Sequence, residues 1–134
     1  MRRYVKQVSS ESRDRKMRNK AQLTLSGKGA AEWKGVFVEG RLGETIVGQF
    51  LPLDDPLLNI YDCPPGLQSA AKYEVVYGSG QNVSSVTLQW VAPDHVSTVV
   101  FWSTFVRTFS EFWVDVKSAE LEISASGSHY AKTL

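Results

Sequence analysis

From Val86 the chain alternates apolar and polar positions, with Val86, Leu88 and Trp90 set against Thr87 and Gln89. Successive side chains of a strand point to opposite faces, so the three apolar residues share one side of a strand. Ala92-Pro93-Asp94 ends it, because proline has no N–H to donate and aspartate favours turns. Residues 98–108 are apolar at most positions and rich in β-branched and aromatic types. That pattern predicts a strand buried on two sides rather than a helix. Ser110-Glu111 separates it from a strand over 112–116. Leu121 and Ile123 alternate with Glu120, Glu122 and Ser124, which predicts a half-buried final strand.

The first half reads the same way. Strands are expected over 22–26, 33–39, 45–53 and 73–77. Gly27-Lys28-Gly29, the loop 41–44, Asp54-Asp55-Pro56 and Gly78-Ser79-Gly80 punctuate them. Residues 59–66, NIYDCPPG, read as an irregular loop fixed by two prolines. Short strands about ten residues apart with turn residues between them point to an all-β sandwich or barrel. No helix of more than two turns is expected inside 22–124, and there is no internal repeat or low-complexity tract.

Charge changes the picture at one end only. Residues 1–20 hold Arg2, Arg3, Lys6, Arg13, Arg15, Lys16, Arg18 and Lys20 against Glu11 and Asp14, a net +6. The remaining 114 residues hold seven basic and twelve acidic side chains, a net −5. Residues 1–21 therefore read as a basic, solvated and disordered extension, 22–123 as the folded domain and 124–134 as a C-terminal tail. The eight basic residues are candidates for contact with a polyanion. The segment has no apolar core of a secretory leader, and too few apolar residues for an amphipathic presequence. With 134 residues and 43% hydrophobic content, the chain is one domain with a core of its own. No apolar run reaches the ~18 residues of a membrane helix, so no membrane span is expected.

Cys63 is the only cysteine, so it forms no internal disulfide. Either the protein is intracellular, or Cys63 pairs between chains, or the segment carrying its partner is absent from this chain.

Several stretches, in order, carry a family resemblance. They are Leu23-Thr24-Leu25-Ser26-Gly27, then the strand from Trp33 through Gly35-Val36-Phe37 to Arg41, then Gly48-Gln49-Phe50. Asp62-Cys63-Pro64-Pro65-Gly66 follows, with Gln68-Ser69-Ala70. Trp90, Ala92 and Pro93 close one strand, and Phe112-Trp113-Val114 with Val116-Lys117-Ser118 closes the aromatic part. Over about residues 22–118 the chain resembles the Reeler (reelin) domain family. The resemblance implies an immunoglobulin-like β-sandwich from a family of extracellular proteins: matrix and adhesion proteins, small secreted insect defence proteins, and ectodomains of ferric-chelate reductase-like membrane proteins. It implies a non-enzymatic interaction module, with an extracellular protein or an acidic glycosaminoglycan as partner and no nucleic acid. The competing implication is an accessory ectodomain fragment of a reductase-like membrane oxidoreductase. It also implies that Cys63 normally pairs with an upstream cysteine. The leader, the cysteine segment and the first strand of the family pattern are not evident in 1–21. An alternative start, a truncated gene model or a divergent isoform would each account for that.

Little else points to chemistry. His95 and His129 are the only histidines and have no metal-ligand spacing, so both read as exposed. Asp54, Asp55 and Asp62 read as turn aspartates rather than Ca²⁺ ligands. Cys63 has no histidine partner nearby in sequence and reads as structural, not nucleophilic. No catalytic, cofactor or metal residue is assigned. Trp33, Trp90, Trp102 and Trp113 with Phe101, Phe105, Phe109 and Phe112 are expected in the core. Asn82-Val83-Ser84 matches the N-glycosylation sequon and marks a candidate modification if the chain is exported.

Overall fold

The structure, a computed structural model, describes residues 3–10, 20–27, 31–62, 68–93, 98–108, 111–118, 120–123 and 129–131. Every regular element among them is a strand. In chain order these are β1 (Arg3–Ser10), β2 (Lys20–Gly27), β3 (Gly35–Leu42), β4 (Thr45–Val47), β5 (Gln49–Phe50) and β6 (Leu58–Tyr61). There follow β7 (Ala70–Glu74), β8 (Ser85–Val91), β9 (Thr98–Thr108), β10 (Glu111–Lys117), β11 (Leu121–Ile123) and β12 (His129–Ala131).

The strands form two antiparallel sheets. The first runs β5-β8-β2-β1-β12-β11. The second is built on β3, with β9 along one edge and β7 and then β6 along the other. β10 extends it beyond β9, and β4 pairs with the end of β3. β9 joins the two sheets: Thr98 and Val99 pair with β11, and residues 100–106 pair with β3.

The core lies between the sheets and is made by the alternation read from the sequence. Leu23 and Leu25 of β2 and Leu88 and Trp90 of β8 face Val36 and Val38 of β3 and Phe101 and Phe105 of β9, all fully buried or nearly so. Trp90 meets Phe101 edge-on at 5.0 Å between ring centroids, and Trp33 meets Phe105 edge-on at 5.4 Å. Both are geometries that aromatic quadrupoles favour. Trp90 fits because two glycines lie beneath it. A Cβ on Gly48, whose φ is +79°, would stand 2.1 Å from its Cζ2, and one on Gly40 would stand 3.0 Å from the same atom.

Several expectations are corrected. The stretch 3–10, read as part of a disordered extension, is a strand paired with β2 from Arg3↔Gly27 to Ser9↔Gln22 and with β12 at Ser9 and Ser10. Its charges masked Tyr4, Val5 and Val8, and β2 needs a hydrogen-bonding partner on the side away from β8. The tail likewise contributes β12, paired with β11 and β1. Residues 58–61, assigned mostly to an irregular loop, are β6. The single strand expected over 45–53 is two, broken at Gly48, and the strand expected at 73–77 sits at Ala70–Glu74.

Candidate binding face

β9 is buried on one face, not two. Val99, Phe101, Ser103 and Phe105 are buried, while Val100, Trp102, Thr104 and Val106 are half-buried and point outward. The outer face of the second sheet therefore carries the side chains that register places beside Val100, Trp102, Thr104 and Val106. From β3 these are Phe37, Glu39 and Arg41, and from β10 they are Phe112 and Lys117. Phe37 is 37% exposed, Tyr61 43%, Phe112 63% and Val114 58%. Phe37 and Tyr61 form a tilted ring pair at 6.4 Å. Trp102 and Phe112, expected in the core, thus lie on the outside. Phe109 and the side chain of Trp113 lie outside the described residues.

Trp102 is the centre of the face. Arg41, from β3 on one side, holds its guanidinium carbon 4.4 Å from the indole centroid. Lys117, from β10 on the other side, holds its ammonium nitrogen 3.9 Å away. Both are within cation–π range. Arg41 Nε donates to Glu39 Oε1 at 2.7 Å, and Nη2 of the same guanidinium pairs with that oxygen. Lys117 has no carboxylate in ion-pair range among the described residues. Its register opposite Trp102 is fixed one residue later: the Ser118 N–H donates to the Phe101 carbonyl and the Phe101 N–H donates to Ser118 Oγ, both at 2.9 Å. On β7 Lys72 donates to Glu74 at 2.9 Å, which raises the lysine above its ordinary range against a smaller opposing effect of burial.

The sequence candidates are dispersed. Of the eight basic residues, Arg3 and Lys6 lie in β1 and Lys20 opens β2; Arg2, Arg13, Arg15, Lys16 and Arg18 lie outside the described residues. So do Cys63 and His95, while His129 begins β12. Asp55 is a structural acceptor, bonded by the Leu57 N–H at 3.0 Å and the Tyr73 hydroxyl at 2.8 Å. Burial first, then that bond to Asp55, pushes the Tyr73 phenol up to about 12. Asp62 accepts from the Gln68 N–H at 3.1 Å. Asp54 is exposed, and no group of three or more metal-ligating side chains occurs among the described residues. Asn82 is exposed, with its Oδ1 bonded by Lys34 Nζ at 3.0 Å. Residue-by-residue reading missed the Arg41–Trp102–Lys117 cluster, whose members lie on three strands. The only trace was a long apolar strand with tryptophan at a position that alternates with phenylalanine.

Two antiparallel sheets around an aromatic core, with an outer face that pairs aromatics with cations, define a β-sandwich module. The Reeler domain model matches residues 4–129, and the chain belongs to that family. It is 27% identical over 118 residues to defense protein 3 of Antheraea mylitta, spanning 87% of this chain and 69% of that protein. Defense protein 1 of the same species is 32% identical over 108 residues, 78% of this chain and 63% of that one. A ferric-chelate reductase 1 homolog of Drosophila melanogaster is 30% identical over 79 residues, 58% of this chain but 12% of that protein. The human F-spondin reeler domain shares the fold, with a TM-score of 0.58 at 13% identity over 98% of this chain and 93% of the other. No described helix is long and apolar enough to cross a membrane.

Proposed function

We propose that this Reeler domain is a non-enzymatic, extracellular interaction module that binds acidic glycosaminoglycan through the outer face of its second sheet. The observation that carries the reading is Trp102 with Arg41 and Lys117 over its ring. The indole holds two cationic donors at a fixed place on a rigid sheet, so a sulfate or carboxylate would meet them preorganised. Phe37, Tyr61 and Phe112 supply apolar surface alongside for sugar rings. The basic residues of 1–20 add long-range attraction from a net +6. Membership of a family that includes proteins named as defence proteins supports a recognition role.

Retention on a heparin column tests this. Trp102→Ala and Lys117→Gln should each elute at clearly lower salt than the parent. Replacing Arg13, Arg15, Lys16 and Arg18 with glutamine should have a second, additive effect, stronger at low salt because exposed charges are screened over ~8 Å at physiological ionic strength. Deleting 1–20 is not the right control, because it removes β1. Parent-like elution of both outer-face variants overturns the assignment of the face. The second reading, an accessory ectodomain of a reductase-like membrane protein, rests on the Drosophila relative. Gene sequence beyond Leu134 that encodes membrane-spanning segments would favour it.

A further inference from the structure

We propose that Asn82 carries an N-linked glycan that covers the end of the sandwich opposite the Arg41–Trp102–Lys117 cluster; the proposal rests on the extracellular reading. Asn82-Val83-Ser84 is a sequon with no proline in the middle. The fold presents it well. Asn82 and Ser84 are exposed, and Val83 between them is anchored by two 2.7 Å backbone bonds with Trp33, so the tripeptide sits on a fixed base. A lysine ammonium only donates, so Lys34 engages the amide oxygen and not Nδ2, the atom that bears the sugar.

The surroundings give a sugar something to cover. Asn82 lines an open cavity of about 450 Å³ whose apolar wall includes Leu57, Tyr73, Val75 and Val83. In the preceding turn Val76 is 63% exposed and Tyr77 76%. Lys34 adjoins Gly35 at the start of β3, and Arg41 lies near that strand's other end, about 20 Å away at ~3.3 Å per residue. A glycan here would leave the Arg41–Trp102–Lys117 cluster open, with Phe112, opposite Val106 beside Gly35, towards the glycan's end of the face.

In the transfer, Asn82 Nδ2 bonds to C1 of the first sugar of a lipid-pyrophosphate-linked oligosaccharide. The C1–O bond breaks, the lipid pyrophosphate leaves with its electron pair, and the amide proton passes to a base of the transferase.

The test directs the full chain into the secretory pathway of insect cells and measures intact mass before and after peptide-N-glycosidase, on the secreted and the retained pools alike. The expected result is loss of the glycan mass with deamidation at Asn82, no glycan on Ser84→Ala, and unchanged heparin retention after the sugar is removed. Ser84 bonds Gly27 through its backbone carbonyl, so Ser84→Ala keeps that contact. An unmodified Asn82 in both pools overturns the site. A glycosylated chain that is wholly retained counts against the extracellular reading and not against the site.

Discussion

The two faces of β9 carry similar side chains in opposite circumstances. Phe101 is fully buried against Trp90, and its neighbour Trp102 stands on the outside between two cations. Inside, an aromatic ring contributes area removed from water, at about 25 cal/mol per Å². Outside, it contributes a surface that holds charge in place. One strand therefore builds the core and presents the binding face. Composition alone cannot tell the two roles apart, because both faces read as hydrophobic.

The largest effect should come from emptying the inner side. Trp90→Ala leaves a cavity between the sheets and should destabilise by about 3–5 kcal/mol in urea unfolding. A variant that unfolds at the parent's midpoint would dissolve the contrast between the faces.

Gly48→Ala tests the same packing from the other direction. Its Cβ would overlap the Trp90 ring, and φ at +79° disfavours any side chain. Overpacking of this kind costs about 1–3 kcal/mol, and the backbone strain adds to it. Near-parent stability would mean that Trp90 is not clamped by the turn.

On the outer side, Trp102→Ala removes two exposed cation–π contacts, together about 1–2 kcal/mol. It should lose far less stability than Trp90→Ala and far more heparin retention. Equal losses of stability from the two tryptophans would place Trp102 in the core after all.

The smallest effect belongs to the edge of the core. Tyr73→Phe removes the hydroxyl bonded to Asp55 and should cost about 0.5–1.5 kcal/mol. It also has a pH signature. The folded phenol titrates near 12 and the unfolded one near 10.0, so its contribution is complete below pH 10 and falls away as pH rises from 10 towards 12. Thermal melts of the parent should fall more steeply across that window than those of Tyr73→Phe. Parallel curves would show that Tyr73 is not the titrating group.

Strand content was largely legible because alternation is local. Leu23, Leu25, Leu88 and Trp90 were readable as one-face residues from their own neighbours, and all four are in the core. β1 and β12 were hidden because both are largely polar, and because they pair with one another, Ser10 with His129, across most of the chain. β6 was hidden by its merging into a proline-rich loop. The cation cluster was illegible because its members are far apart in the chain. Arg41, Trp102 and Lys117 become neighbours only when β3 and β10 pair on either side of β9.

The sequence by itself determined that the chain folds as β-structure, which residues turn inward on most strands, and where a glycan could attach. Each of these follows from spacing over a few residues. The tertiary structure decided which face of β9 is solvent, because that depends on whether a second layer covers it. It also decided that the basic N-terminal stretch contributes a strand, because a strand's stability depends on the partner it pairs with and not on its own apolar content.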